Sequence, residues 1–287
     1  MEFKDIHTVA VIGAGTMGQG IVLVCAQAGY ATLLFDENAD ILPKAILSIS
    51  KNLNILVSKG KLSSVEQEEI LKRIIVTKHL GDVKADLIIE AVVEQLEVKQ
   101  KLFQEVENIN QGNAILATNT SSISITQIAS LLNHPANCIG LHFFNPAHVM
   151  KLVEIVSGEV TDAKLIEVLS AFSRKLGKIS VMAKDSPGFI VNRVARHYYL
   201  ESLKLLEENV TDLESIDKLL CSAGFKMGPF ELMDMIGIDI NLAVTTSVYE
   251  GFHKAEKFRP SRIQQQKAED GYLGRKTGKG FYDYPKN

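Results

Sequence analysis

The chain has 287 residues, 46% hydrophobic and 23% charged, a composition that excludes a disordered, collagen-like or coiled-coil polypeptide and supplies a substantial buried core. Acidic residues outnumber basic ones 34 to 31, so there is no overall positive field to hold a polyanion such as DNA. The most apolar stretches, such as Ile21 to Phe35, contain Gln27, Gly29 and Thr32 and fall short of the roughly 20 residues of a membrane helix.

Met1 to Asp5 carry acids where a secretory peptide has a basic opening and an apolar run, so a cytoplasmic protein is expected. From His7 to Asp185, short β-branched runs alternate with longer helical stretches, the pattern of a parallel α/β domain. The predicted strands are Thr8 to Ile12, Thr32 to Phe35, Ile74 to Thr77, Leu87 to Glu90, Ala114 to Thr118, Cys138 to His142, Lys151 to Val156 and Ile179 to Met182. Between the second and third, Ile41 to Arg73 has apolar residues at helical spacing and a break at Ser58 to Ser64, which predicts an inserted pair of antiparallel helices. Asp185-Ser186-Pro187-Gly188 stops regular structure, and the domain boundary is placed there, giving 1–186 and 187–287. Beyond it the strand signal ends and helices are predicted over Phe189 to Glu208, Leu213 to Ala223, Pro229 to Met235 and Asp239 to Tyr249. Cys25, Cys138 and Cys221 lack paired spacing and lie in apolar surroundings, so all three are expected to be reduced core cysteines with no metal or disulfide role.

Gly13-Ala14-Gly15-Thr16-Met17-Gly18 follows the apolar strand Val9 to Ile12 and opens an apolar helix, the setting of a dinucleotide-binding turn in a Rossmann-type doubly wound sheet. Gly13 allows the turn, Gly15 lets a pyrophosphate approach the backbone, and Gly18 lets helix and strand pack. Asp36 ends the second strand, where a carboxylate accepts from ribose hydroxyls and repels a 2′-phosphate; NAD is expected over NADP.

Three polar clusters fall near predicted strand ends, where an open parallel sheet binds its ligands: Asn119 to Ser122, His142 to Pro146, and Glu154 within the apolar run Leu152 to Val156. An imidazole beside Phe143 and Phe144 suits a general base, and a carboxylate in an apolar strand needs a partner that such an imidazole can be.

The segments Gly13 to Gly18, Glu90-Ala91-Val92-Val93-Glu94, Thr118 to Ser122, His142 to Pro146, Met150 to Glu154, Asp185 to Arg193, Met227 to Leu232 and Gly278 to Tyr282 resemble the short-chain L-3-hydroxyacyl-CoA dehydrogenase family along essentially the whole chain. The resemblance implies NAD-dependent oxidation of an L-3-hydroxyacyl-CoA to the 3-ketoacyl-CoA and its reverse, in fatty acid metabolism, on a short chain such as 3-hydroxybutyryl-CoA. It makes His142 the base, Glu154 the carboxylate that orients it, and Ser121 and Asn192 the holders of the substrate oxygens. Glu94, Lys99 and Asn119 match positions near the nicotinamide ribose, and Asn145 matches a residue flanking the histidine.

The inserted helices resemble the family's coenzyme A clamp, with Lys59 at a basic position there, Lys51 and Lys61 close by, and Asn52 where serine is common. His148 stands where the family has proline and is expected on the loop surface; Thr118 replaces a common serine. Asn192 to Tyr199 looks closer to the phenylacetate-degradation branch, whose substrate resembles 3-hydroxyadipyl-CoA. Arg196, one helical turn after Asn192, is then expected to meet the terminal carboxylate, or else to form an ion pair at an interface. The resemblance further implies a homodimer through the helical domain. The remaining alternatives are a sugar-acid dehydrogenase of the same fold or a crystallin-like relative without the chemistry.

Overall fold

Val9, Ala10, Val11 and Ile12 form a continuous apolar run rather than an alternating one, and they become β1 (Thr8–Ile12), a strand buried on both faces. In this computed structural model, which describes residues 2–285, the chain divides into two compact units between Ser186 and Pro187.

The first unit continues with α1 (Thr16–Gln27), β2 (Ala31–Phe35) and the inserted pair α2 (Leu42–Ser58) and α3 (Ser64–Lys72). α3 opens with a reciprocal cap in which Ser63 and Glu66 each accept the other's backbone N–H. Next come β3 (Ile74–Thr77), β4 (Leu87–Glu90), α4 (Leu96–Ile109), β5 (Ile115–Thr118), the short α5 (Ile125–Ala129), β6 (Cys138–Phe143), β7 (Leu152–Ser157), α6 (Lys164–Lys175) and β8 (Ile179–Lys184). The strands form one sheet in the order β3-β2-β1-β4-β5-β6-β7-β8. Its order reverses between β1 and β4, which opens a crevice beyond their carboxyl ends.

The sheet departs from the all-parallel expectation at one joint, where β6 and β7 run antiparallel. Residues 144–151 are too few for a crossover, which takes a dozen or more, and they close a hairpin instead. The core is built from the apolar flank of α1 (Ile21, Val22, Val24 and Cys25) against Val9, Val11, Leu34, Leu87 and Ile89 on the strands, with Leu169 and Phe172 of α6.

The second unit is helical: α7 (Val191–Glu207), α8 (Leu213–Ser222), α9 (Pro229–Ile236), α10 (Ile238–Gly251) and α11 (Arg262–Glu269). Tyr199, Leu203, Ile216, Phe230, Met233, Ile238 and Phe281 make its core. The cysteine expectation needs one correction. Cys25 and Cys138 are buried, but Cys221 is exposed, because it lies on the outer side of α8 near its end. Among the described residues no helix is long and apolar enough to cross a membrane, and no cluster of His, Cys, Asp and Glu could hold a metal.

Candidate active site

At the carboxyl end of β1, Gly13 turns with φ +107°, and a Cβ there would run into the carbonyl of Ala91. A Cβ on Gly18 would run into the carbonyl oxygen of Gly13, so strand and helix touch through bare backbone. Gly15 is different. Its φ of −69° and ψ of −173° suit any residue, and a Cβ there would meet nothing within 4 Å. Nothing in the protein's own packing calls for glycine at that position. The backbone is left bare at a cleft of about 750 Å³ lined by Gly13, Gly15, Asp36, Ala91, Val92 and Lys101. Thr16 and Met17 form the first turn of α1, whose unpaired N–H groups and dipole favour an anion. Asp36 closes the far wall: Oδ2 accepts the Ala14 N–H at 2.7 Å and Oδ1 the Asn38 N–H at 2.9 Å. The carboxylate thus braces the glycine turn and places negative charge where a 2′-phosphate would come. An open cradle, a helix N-terminus and an acid at the end of β2 fit the pyrophosphate and adenine ribose of NAD.

An ion network, buried at Glu90 and Lys99 and open at Glu94, lies beyond β4. Lys99, 1% exposed on α4, donates to Glu90 Oε1 at 2.6 Å and reaches Glu94 Oε2 at 3.2 Å. Glu90 also accepts from the Val92 N–H and from the Thr118 hydroxyl, each at 2.7 Å. Glu94 accepts from the Thr120 hydroxyl at 2.5 Å and the Ser121 N–H at 2.8 Å, fastening the loop after β5. Burial alone would raise the Glu94 pKa, but the Lys99 ammonium and these hydrogen bonds outweigh it and hold the carboxyl below its ordinary value. Asn119 joins the same loop to the end of β6, with its Oδ1 accepting the Phe143 N–H at 2.8 Å.

On that neighbouring hairpin His142 and Glu154 face each other as a direct cross-strand pair. His142 Nδ1 lies 2.7 Å from Glu154 Oε2, and Glu154 is 0% exposed. The Phe144 ring packs on the imidazole with centroids 4.5 Å apart. Asn145 follows in an exposed turn. The first unit therefore brings together the glycine turn with Asp36, the Glu90–Lys99–Glu94 network with Asn119 and Ser121, and the His142–Glu154 pair, all at the carboxyl ends of β1, β2, β4, β5 and β6. His148 is half-buried rather than on the loop surface, and burial together with the Lys178 charge lowers its pKa.

Lys51, Lys59 and Lys61 are exposed on or just after α2, and Asn52 is half-buried one residue after Lys51. In the second unit, Asn192 lies in the first turn of α7. Arg196 lies inside the helical unit. Its side chain is 3% exposed: Nε donates to the Asn192 carbonyl at 3.1 Å, while Nη1 donates to the Asn241 carbonyl at 3.0 Å and the Thr245 hydroxyl at 2.8 Å. Burial lowers its pKa to about 10. Because its outward-turned neighbours on α7 leave it on the buried face, the guanidinium braces α7 against α10. Among the described residues it forms no ion pair, and these hydrogen bonds of its guanidinium all lie within the helical unit.

The sequence alone assigns no role to Glu90, Thr118, Thr120 or Lys178. Glu90 carried a signal like that of Glu154, an acid in an otherwise apolar strand.

A family model for the 3-hydroxyacyl-CoA dehydrogenase NAD binding domain matches residues 8–186, and one for the C-terminal domain of 3-hydroxyacyl-CoA dehydrogenase matches residues 188–284. The chain is 49% identical over 282 residues to a 3-hydroxyadipyl-CoA dehydrogenase of Escherichia coli (strain K12), matching 98% of this chain but spanning only 59% of that protein. It is 41% identical to a 3-hydroxybutyryl-CoA dehydrogenase of Bradyrhizobium diazoefficiens, over 97% of this chain and 96% of that one. Among solved structures it is similar to a 3-hydroxybutyryl-CoA dehydrogenase from Escherichia coli K12, with a TM-score of 0.96, 48% identity, and coverage of 99% of this chain and 60% of that chain. An (S)-3-hydroxybutyryl-CoA dehydrogenase from Ralstonia eutropha gives a TM-score of 0.94 at 38% identity, covering 98% and 100%. Both domains of one family thus match in order across nearly all of the described chain, and the chain belongs to the 3-hydroxyacyl-CoA dehydrogenase family.

Proposed function

We propose that this protein interconverts an L-3-hydroxyacyl-CoA and the 3-ketoacyl-CoA with NAD, a four-carbon thioester being the first substrate to test. The observation that carries the reading is the 2.7 Å contact of His142 Nδ1 with the buried Glu154 carboxylate, on strands of the same sheet as the cradle of an NAD-binding domain. NADH, when bound, supplies the hydride that reduces C3. With Nδ1 committed to Glu154, proton exchange falls to Nε2, which gives a proton to the forming 3-oxygen in reduction and takes it from the hydroxyl in oxidation. Glu154 fixes the ring and stabilises the imidazolium in the half of the cycle that charges it. Ser121 and Asn192 orient the substrate oxygens, and Glu94, held ionised by Lys99, fixes the loop that carries Ser121. Lys59, with Lys51, Asn52 and Lys61, meets the nucleotide phosphate of coenzyme A. The thioester enters as a soluble partner; the reading includes a cytoplasmic homodimer, supported by exposed apolar side chains such as Val194, Leu219 and Ile240 on the helical unit.

A second reading, with a dicarboxylic 3-hydroxyadipyl-CoA as preferred substrate, is supported by the 49% identity to a relative of that name. The test is NADH consumption with acetoacetyl-CoA, with 3-ketoadipyl-CoA and with a free 3-keto acid, repeated with NADPH. The expected result is turnover of a thioester, little of the free acid, and about tenfold or greater preference for NADH, as the Asp36 carboxylate requires. The absence of NADH consumption with either thioester would overturn the reading, and faster turnover of the six-carbon diacid would select the second substrate.

A further inference from the structure

Lys178, the residue before β8, is 8% exposed and has no carboxylate in ion-pair reach among the described residues. Its ammonium instead donates to two backbone carbonyls, Ala147 at 2.5 Å and Met150 at 2.7 Å. Both belong to the 144–151 connection that closes the hairpin of His142 and Glu154. Burying an ammonium without a counter-ion is costly, and an apolar side chain would fill the same space more cheaply. Burial accordingly depresses its pKa, with Cys25 of α1 and His148 of the loop among the groups around it. A side chain kept at that cost has to provide something an apolar one cannot, and here it is the one partner of the Ala147 carbonyl among the described residues.

The same loop is held from its other side. Ala147 is buried against α1 at Gly20, where a Cβ would come within 2.9 Å of the Ala147 Cβ. Gly20 lies in the helix that begins at the glycine turn, so the loop is fixed at once to the nucleotide cradle and to the start of β8. Inside the loop, Val149 and Met150 N–H groups both turn back to the Pro146 carbonyl at 2.9 Å. Lys178 takes up two carbonyls that this turn leaves over, those of Ala147 and Met150.

We propose that Lys178 is a positioning residue of the dehydrogenase site: its buried ammonium ties the 144–151 loop to the start of β8 and so holds Ala147 against α1, so that the hairpin bearing His142 and Glu154 and the helix bearing the nucleotide cradle keep a fixed spacing. This rests on the dehydrogenase reading, because a fixed spacing matters only if a group at the cradle reacts with one beside His142. Hydride and proton transfer fall off steeply with displacement, whereas binding at the cradle does not depend on where the hairpin lies.

The test uses the full chain with Lys178→Met, which keeps length and burial but donates nothing, and Gly20→Ala, which pushes Ala147 from the opposite side and leaves Lys178 untouched. Three quantities are read: amide hydrogen exchange at Val149 and Met150 without cofactor, NADH affinity by fluorescence titration, and kcat and KM for acetoacetyl-CoA. Both variants are expected to exchange faster at those amides, to bind NADH within about threefold of wild type, and to lose about tenfold or more in kcat with a smaller change in KM. A kcat within about twofold of wild type in the variants, unchanged loop exchange, or an NADH affinity that falls in step with kcat would overturn the proposal. If Lys178→Met does not fold, Gly20→Ala decides on the same criteria. A wild-type protein that consumes no NADH would remove the dehydrogenase reading and this proposal with it, whereas an active wild type with unaffected variants removes the proposal alone.

Discussion

Gly15 and Gly18 are three residues apart and are kept for opposite reasons. Gly18 serves the protein, since its Cβ would strike the Gly13 carbonyl, whereas the space above Gly15 is open and is kept for something that approaches from the cleft. Gly18→Ala should therefore cost stability, roughly 2 kcal/mol from overpacking, read by urea denaturation. Gly15→Ala should leave the melting temperature in place and weaken NADH binding by roughly tenfold, since the methyl would stand where the pyrophosphate meets the backbone. The imidazole makes a different demand. His142→Gln keeps a polar side chain beside Glu154 but cannot shuttle a proton, so kcat should fall about 100-fold with NADH affinity unchanged by titration. A parallel collapse of NADH affinity would mark His142 as structural. Glu94 offers a pH-dependent test. Its folded-state pKa lies below the ordinary 4.5, so its hold on the Ser121 amide is complete above that value and is lost as pH falls through the lowered one. Exchange protection at Ser121, followed from pH 6 downward, should survive below 4.5 in the wild type; in Glu94→Gln the acid-dependent step should vanish.

At the level of elements, the strands were legible because β-branched runs ending in Gly, Asn or acid left no helical alternative, and the glycine turn was legible because strand, spacing and helix coincided. The hairpin joint was not. Lys151 to Val156 reads the same whether the strand lies parallel or antiparallel, and only the brevity of the 144–151 connection decides it. α11 escaped notice because Arg-Ile-Gln-Gln-Gln-Lys-Ala-Glu has too few apolar residues to set a period; it is started by the Ser261 cap. The role of Arg196 was hidden for a related reason. A helix has two flanks, and nothing in Asn192 to Tyr199 says which one α10 covers. The segments Met227 to Leu232 and Gly278 to Tyr282 also gain their meaning only in three dimensions. Asp217 accepts the Phe230 and Glu231 N–H groups at the start of α9 and the Tyr282 hydroxyl, while Asp234 accepts the Phe281 and Tyr282 N–H groups at 2.9 Å each. The chain after α11 is thus strapped to α8 by Asp217 and to α9 by Asp234. Asp234→Asn presents an amide donor to one of two backbone donors and should cost roughly 2–3 kcal/mol in urea unfolding, without moving NADH affinity.

For the molecule as a whole, the distribution of its three cysteines has a practical outcome. Cys25 on α1 and Cys138 on β6 are sealed in the nucleotide unit, where burial drives both thiols far above their ordinary pKa, and Cys221 is exposed in the helical unit. A thiolate is the species that alkylates, so the folded protein offers one fast-reacting sulfur and two that wait for their unit to open. Alkylation read residue by residue in a mass spectrometer is then a clock for the opening of one half of the chain, with a running reference in the other half. At NADH near 100 times its Kd, labelling of Cys25 and Cys138 should slow by about 100-fold while Cys221 keeps its pace. Because Cys221 needs no opening to react, it is the reference against which that slowing is read, and unchanged labelling of Cys25 and Cys138 would mean that NADH does not stabilise their unit. The unmodified protein thus carries its own probe of how readily the nucleotide unit opens, with an internal reference beside it.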